Sequence, residues 1–347
     1  MSTDTVWHMS GAAGIRHRFA WRCGYGKLDP GASVMTLAHL LKLLLFLELL
    51  TTTALSAVLL QYLDQPWYWV LLYVPSFFFL VRIFLISTEF FLATWFNRAL
   101  SPMHLSYLAW FRCISREMLL MISNFSFHMA LPSWFNRWSQ EEKRDRPTAN
   151  SRGVIVLVHG IACNAVVWRS MRKYLLQQGW IISPLNLNPI FAPIHHYGEA
   201  LYAYIENTCQ QYACEQVFVV AHSMGGLVLR SYLQQYGDQR VAHAITIATP
   251  HQGSVLASIG ASANVRDMRQ NSQFLRSLNS TAHIGKLTCF LTQHDNLVIP
   301  YNSSHLAGST SVLFSGIGHV SLLFDTEVQR QVHLTLCRKK LEMNVPE

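Results

Sequence analysis

A serine between a buried strand and a helix is the group in this sequence best suited to do chemistry. Residues 218–227 read FVVAHSMGGL, in which an apolar, β-branched run leads into Ser223 and a helical pattern follows. This is the pattern of a nucleophile elbow, where the serine occupies a tight strand-to-helix turn and its neighbours two residues before and after must be small. Those neighbours are Ala221 and Gly225, so the motif differs from Gly-x-Ser-x-Gly by one methyl group. The sequence therefore predicts Ser223 as a nucleophile.

A serine hydroxyl needs a histidine to take its proton and a carboxylate to orient that histidine. Asp295 directly follows the predicted strand LTCFLTQH, where the carboxyl edge of a sheet is expected. His319 lies further on, in the glycine-flanked loop GIGHVSLLF, and the chain order serine, acid, histidine is the one that accompanies this elbow. We assign Asp295 as the acid and His319 as the base, with His305 as the nearest rival for the base.

Acyl transfer also needs two backbone N–H groups aimed at the oxygen that becomes negatively charged. Met224, at the start of the helix after Ser223, supplies one of them. The second is expected from the turn after the first strand of the domain, His159-Gly160-Ile161, with the N–H of Ile161 as our choice. The predicted oxyanion hole is therefore Ile161 with Met224.

Short strands and helices alternate from residue 153 to near the end of the chain. This alternation predicts a mainly parallel sheet covered by helices on both faces. Strands are predicted at 153–158, 180–185, 216–221, 242–248, 287–292 and 312–314, and helices at 164–178, 197–212, 224–236 and 322–336.

Several of these segments together resemble a known superfamily. VLVHGI, VVAHSMGG, IATPHQGS, HDNLVIP and GIGHVSLL look like bacterial lipases and esterases of the α/β-hydrolase superfamily with an Ala-x-Ser-x-Gly elbow, and also like inositol-deacylating lipases that act on lipid-linked sugars. The resemblance covers about residues 153–337. It implies an α/β-hydrolase fold, neither cofactor nor metal, and the catalytic and oxyanion residues chosen above. The residues predicted to bind substrate are His159, Gly160, Thr249 and Pro250.

The first third of the chain is unusually apolar. Only 13% of all residues are charged and the mean hydropathy is +0.20. Two apolar runs, about 37–63 and 67–86, flank the turn Asp64-Gln65-Pro66, and each is long enough for a spanning helix of about 20 residues. We therefore expect a membrane hairpin and divide the chain into a polar tail at 1–33, a transmembrane hairpin at 34–99, an amphipathic segment and linker at 100–150, and a catalytic domain at 151–347.

Charged residues within the two apolar runs can be placed by counting from the turn. Glu48 and Arg82 lie at similar depth near the far interface, and Lys42 and Glu89 lie slightly beyond. We expect ion pairs between Glu48 and Arg82 and between Lys42 and Glu89. The alternative is that each charge extends separately to the lipid headgroups.

Lysine and arginine predict the orientation and the partners. They occur before the first run and after the second but not in the turn, so both ends of the hairpin are expected to face the cytoplasm, at a bacterial inner membrane. Residues 100–138 are predicted to form an amphipathic segment on the membrane or over the catalytic domain, or alternatively a third spanning helix. The net charge of +8 is assigned to membrane flanks, because no basic run is interleaved with aromatics as in nucleic-acid binding. Seven cysteines without a CxxC pair give no disulfide or zinc signature.

Together these features predict a membrane-anchored serine carboxylic ester hydrolase acting on lipid or other acyl esters. Residues 188–194, with Trp134 and Trp138, could form the approach for an acyl chain. The alternatives are an acyltransferase with the same triad and a membrane scaffold with an inactive hydrolase domain. Acyl length, head group and oligomeric state stay open.

Overall fold

A six-stranded parallel sheet is the frame of the catalytic domain in this computed structural model, which describes residues 36–100, 104–131, 151–278 and 284–343. The strand order is β2-β1-β3-β4-β5-β6, and every neighbouring pair is parallel. The carboxyl ends of all strands therefore lie at one edge of the sheet. The strands are β1 Val154–Val158, β2 Ile181–Leu185, β3 Val217–His222, β4 Val241–Ile247, β5 Leu287–Thr292 and β6 Thr310–Phe314.

Helices cover both faces of the sheet. Successive side chains of a strand point to opposite faces, so each apolar strand contributes to a core on either side. Val156 of β1 belongs to one apolar core, whereas Ile155 and Leu157 belong to the other. The helices in chain order are α1 Leu37–Tyr62, α2 Val70–Asn97, α3 Tyr107–Ser123, α4 Arg169–Gln177, α5 Ile194–Tyr212, α6 Met224–Tyr236, α7 Ala263–Asp267, α8 Gln273–Leu278 and α9 Thr326–Met343.

The N-terminal hairpin presents an apolar surface. The helices Leu37–Tyr62 and Trp67–Leu100, the latter consisting of α2 with a short 3₁₀ turn at each end, are long and apolar enough to cross a membrane. Large apolar side chains are exposed along both. Soluble proteins rarely expose so extensive an apolar surface unless it contacts a membrane or a partner. The exposed side chains include Leu44, Phe46, Leu55 and Val58 on α1 and Phe84, Phe91 and Trp95 on α2.

One of the two predicted ion pairs joins the hairpin helices. Arg82 Nη2 donates to Glu48 Oε2 at 2.7 Å, and Arg82 Nε donates to Ser126 Oγ at 3.3 Å. The prediction for the second pair was wrong: within the described residues no ion pair joins Lys42 to Glu89. The Glu89 carboxylate instead accepts from Asn296 Nδ2 at 2.8 Å, because a loop of the catalytic domain packs against α2.

α3 lies over the catalytic domain, which is one of the predicted arrangements. It has 17 residues and begins after Ser106, whose side chain accepts from Ala109 N. Arg116 Nη1 donates to Asp325 Oδ2 at 2.6 Å. This helix therefore contacts the domain directly. Residues 1–33, most of the predicted linker, Trp134 and Trp138 lie outside the described residues.

Candidate active site

Ser223 occupies the sharp turn between β3 and α6. Its backbone has φ 55° and ψ −127°, a conformation that non-glycine residues rarely adopt and that is concentrated at functional sites. The turn is held by Ser223 N donating to Ile247 O at 2.8 Å and by Gly226 N donating to Ser223 O at 3.1 Å. The structure therefore places Ser223 at the carboxyl edge of the sheet, as the elbow motif predicts.

The two small residues that flank Ser223, Ala221 and Gly225, differ in how much space surrounds them. A Cβ atom added to Gly225 would lie 2.4 Å from Val158 O and 2.7 Å from His159 O, so the helix could not approach β1 with any other residue there. Ala221 is fully buried in the apolar core, where its methyl group has space. This difference explains why the motif tolerates alanine before the serine but has glycine after it.

Asp295 and His319 form a buried hydrogen-bonded pair. His319 Nδ1 lies 3.0 Å from each carboxylate oxygen of Asp295. Asp295 Oδ1 also accepts from Leu297 N at 2.9 Å and Val298 N at 2.7 Å, which fixes the carboxylate. An ionised carboxylate only accepts hydrogen bonds, so Nδ1 carries the proton and Nε2 of His319 is left as the basic nitrogen.

The environment of His319 favours its protonated form. Burial by itself lowers the pKa of His319, but the negative charge of Asp295 and the hydrogen bond to it raise the pKa above its ordinary value of 6.5. The charge of Glu117 acts in the same direction. His319 is therefore a stronger base than a free imidazole.

His319 lies against the elbow through the residue that precedes the nucleophile. The ring centroids of His222 and His319 are 4.6 Å apart, and His222 Nε2 lies 3.3 Å from His319 O. No hydrogen bond links Ser223 Oγ to His319 within the described residues; such bonds often tighten only when substrate is bound. The rival His305 is exposed and contacts Ser311 Oγ at 2.9 Å. The structure thus brings Ser223, Asp295 and His319 to one place.

The predicted oxyanion turn lies beside the nucleophile. A Cβ added to Gly160 would be 2.8 Å from Ser223 Cβ and 3.3 Å from its Oγ, so this turn contacts the serine closely. The N–H of Met224 begins α6, at the partially positive end of the helix. Ile161 follows Gly160 in the same turn. The elements that carry both predicted donors are therefore adjacent to Ser223.

His159 holds this turn in place through both ring nitrogens. Its Nε2 accepts from Leu187 N at 3.0 Å, so Nδ1 carries the proton and donates to Gly160 O at 2.9 Å. Burial lowers the pKa of His159 to about 4, which keeps the ring neutral. His159 is predicted to bind substrate; it lines the cavity beside the elbow, and its nitrogens bond the loops after β1 and β2.

A cavity of about 360 Å³ adjoins the turn and the elbow. Gly160 and Met224 line one side, and the start of α1 lines another. Polar and apolar groups both line it, so the cavity suits a ligand with both kinds of surface. Further lining residues are Thr36, Leu37, Ala38, Asn164, Asn186, Asn188, Ile190 and Tyr197.

Thr249 and Pro250, which were predicted to bind substrate, do not line this cavity. Thr249 is buried, and a Cβ added to Gly226 would lie 2.1 Å from its Oγ1. Thr249 therefore fills the space that the glycine leaves on α6.

Two residues beside His319 were missed in the sequence. Asn296 Oδ1 accepts from the N–H of His319 at 3.0 Å, and buried Glu117 accepts from the N–H of Val320 at 2.7 Å. Asn296 could have been suspected because it directly follows the acid. Glu117 gave no signal beyond its place on an amphipathic helix.

The family comparison agrees with this geometry. Residues 153–321 match the family model for the alpha/beta hydrolase fold. The catalytic domain has the α/β-hydrolase fold. The predicted fold class, a mainly parallel sheet with helices on both faces behind an N-terminal helical segment, is confirmed.

Sequence relatives of this α/β-hydrolase are bacterial lipases. The chain is 32% identical over 117 residues to a triacylglycerol lipase of Pseudarthrobacter phenanthrenivorans, which covers 31% of this chain and 36% of that protein. It is also 32% identical over 117 residues to a triacylglycerol lipase of Burkholderia plantarii, covering 31% and 32% respectively. The matched part spans about a third of each relative. These matches confirm the resemblance to bacterial lipases and esterases.

Among solved structures, the mature lipase BlEst2 of Bacillus licheniformis shares the fold. The TM-score is 0.50 at 18% sequence identity, over 56% of this chain and 96% of that one. The family match begins at residue 153, after the hairpin and α3. The N-terminal helices are therefore an addition to the matched domain.

Proposed function

We propose that this α/β-hydrolase is a membrane-anchored serine carboxylic ester hydrolase, a lipase or esterase, that cleaves lipid or other acyl esters through an acyl-enzyme on Ser223. The observation that carries the proposal is the buried Asp295–His319 pair beside a strained elbow serine. A serine, a histidine and a carboxylate in this relation perform acyl transfer on several unrelated folds. The triacylglycerol lipase relatives favour an ester substrate.

Acylation begins when His319 Nε2 takes the proton of Ser223 Oγ while that oxygen bonds to the ester carbonyl carbon. The N–H groups of Met224 and Ile161 stabilise the negative charge on the carbonyl oxygen. Asp295 stabilises the imidazolium through Nδ1. When the tetrahedral intermediate collapses, the C–O bond to the alcohol breaks, and the alcohol takes the proton from His319. An acyl group remains on Ser223.

Deacylation repeats these steps with water as the nucleophile. His319 takes a proton from water as the water oxygen attacks the acyl carbon, and the proton then passes to Ser223 Oγ as the ester bond to it breaks. The carboxylic acid leaves and the free serine is restored. An alcohol in place of water would give transfer instead of hydrolysis, so acceptor competition is the measurement that separates the two reactions.

The position of the cavity supports a lipid ester as substrate. Leu37 and Ala38, which line it, begin α1, and the rest of α1 carries an exposed apolar surface. An ester held in this cavity would lie at the start of an apolar helix and beside Gly160 and Met224, which adjoin Ser223. Arginine and lysine flank both ends of the hairpin, which favours a catalytic domain on the cytoplasmic side.

The test is hydrolysis of esters graded in acyl length by the full-length protein in detergent micelles. We expect turnover by the wild type, loss of about 10⁴-fold or more in kcat in Ser223→Ala and His319→Ala, and near wild-type turnover in the exposed control His305→Ala. Fluorophosphonate labelling should disappear in Ser223→Ala. A folded wild type that neither hydrolyses esters nor takes the label would contradict the proposal. Labelling with a membrane-impermeant probe in right-side-out and inverted vesicles tests the orientation.

A further inference from the structure

A buried carboxylate from the N-terminal helices contacts the loop that carries His319. Glu117 of α3 is fully buried. It accepts from Val320 N at 2.7 Å, from Ser321 N at 2.8 Å and from Ser321 Oγ at 2.5 Å. All three donors belong to the two residues that directly follow His319.

Burial of the Glu117 side chain costs free energy. Among the described residues it takes part in no ion pair, and a buried carboxylate without a cation costs free energy even when it is hydrogen-bonded. Burial raises the pKa of Glu117, whereas its hydrogen bonds lower it. An amphipathic helix could pack on the domain with an apolar residue here, so packing alone does not account for the carboxylate.

The backbone before His319 is equally close to this carboxylate. A Cβ added to Gly318 would lie 2.6 Å from Glu117 Oε2. The chain therefore contacts Glu117 on both sides of His319. A shift of the carboxylate would move the histidine with it.

α2 holds the neighbouring loop, which carries Asp295. Asn296, in this loop, connects α2 to His319. Its Nδ2 donates to Glu89 Oε2 at 2.8 Å, and its Oδ1 accepts from His319 N at 3.0 Å. Further along the loop, Tyr301 N donates to Asn97 Oδ1 at 3.0 Å. Both catalytic loops are thus bonded to helices that lie outside the family match.

We propose that Glu117 and Glu89 are positioning residues for His319, and that the N-terminal helices are part of the active site and not only a membrane anchor. The inference rests on the ester hydrolase activity proposed above. Glu117 fixes the backbone after His319, and Glu89 fixes the backbone N–H of His319 through Asn296. Because a displacement of about 1 Å can cost about 10²-fold in rate, these contacts are expected to govern kcat.

The experiment compares Glu117→Gln with Asn124→Ala in the full-length protein in detergent, on a water-soluble p-nitrophenyl butyrate. In this variant an amide NH2 group, which only donates, would face the N–H of Ser321. Two donors cannot bond each other, so at least one hydrogen bond is lost. Asn124 is the matched control, because it is buried just after α3 and accepts a hydrogen bond from Arg169 instead of from the two residues that follow His319. We expect kcat per titrated active site to fall about 10- to 100-fold in Glu117→Gln, with KM within about twofold. Asn124→Ala should lower Tm comparably and keep kcat within about twofold.

A second pair tests the bridge through Asn296. Glu89→Gln keeps an acceptor oxygen for Asn296 Nδ2 and should retain kcat, whereas Glu89→Leu removes it and should lower kcat several-fold. This pair decides the question if Glu117→Gln does not fold. A purely packing role would be served about equally by glutamine and leucine, so it predicts equal kcat in the two variants.

Three results would overturn the inference: a folded Glu117→Gln with wild-type kcat, an equal loss of kcat in Asn124→Ala, or equal kcat in Glu89→Gln and Glu89→Leu. In each of these cases an active wild type leaves the proposed function intact. A wild type that hydrolyses no ester and takes no fluorophosphonate would overturn both proposals together.

Discussion

Gly225→Ala tests how closely the elbow helix must approach β1. The added methyl carbon would lie 2.4 Å from Val158 O and 2.7 Å from His159 O. Both atoms are backbone, so neither can rotate away. Restoring an ordinary van der Waals separation requires a shift of roughly 1 Å. That shift falls on the turn whose Gly160 contacts Ser223 and whose Ile161 N–H is proposed to bind the oxyanion.

We expect two effects of different size. Overpacking of this kind costs about 1–3 kcal/mol in the free energy of unfolding. A misplacement of about 1 Å between nucleophile and oxyanion donors costs about 10²-fold in kcat. Thermal unfolding measures the first effect, and turnover of a soluble ester per active site measures the second.

Ala221→Gly is the control for Gly225→Ala. It removes a buried methyl group on the other side of the serine and should cost roughly 1 kcal/mol in stability. No backbone atom has to move, so kcat should stay within about twofold. A folded Gly225→Ala variant with wild-type kcat would refute the reasoning from close approach. Equal losses of kcat in both variants would refute it as well.

Two further predictions concern the base and the cavity. Only neutral His319 can accept the serine proton, and Asp295 raises its pKa above 6.5, so kcat/KM should fall as the pH drops through a midpoint above 6.5; a pH–rate profile with its acid limb centred at or below 6.5 would contradict this. Ala38→Trp should fill part of the cavity and lower kcat/KM for long-chain esters by about 10-fold or more while changing acetate esters less than about twofold. Ala54→Trp, on an exposed face of the same helix, is its control, and a uniform loss across chain lengths would count against the cavity as the acyl site.

Local sequence patterns were sufficient for the elbow and its partners. β-Branched runs marked the central strands, and the order of Ser223, Asp295 and His319 predicted the three groups after β3, β5 and β6, at one edge of the sheet. Counting residues from the hairpin turn was also sufficient to pair Glu48 with Arg82, because two antiparallel helices bring equal separations to equal depth.

Contacts between segments that are far apart in the sequence could not be predicted from local patterns. A glutamate on an amphipathic helix usually faces water, and the partners of Glu117 are backbone groups 203 and 204 residues later. Glu89 was assigned to Lys42 because only the hairpin was considered, whereas its partner is on the catalytic domain. Thr249 is predicted to bind substrate, and its side chain lies against Gly226 of α6, outside the cavity beside the elbow.

The contacts between Glu117 and the His319 loop also bear on the order in which the enzyme matures during synthesis. α1 to α3 leave the ribosome before any strand of the sheet, and domains generally fold as units in chain order. The loop after β6 is among the last parts to appear, and it meets Glu117 only when the finished domain reaches the helices. A newly made hydrolase would therefore acquire full activity where its helices already reside, and a chain released before that point would carry an unaligned histidine.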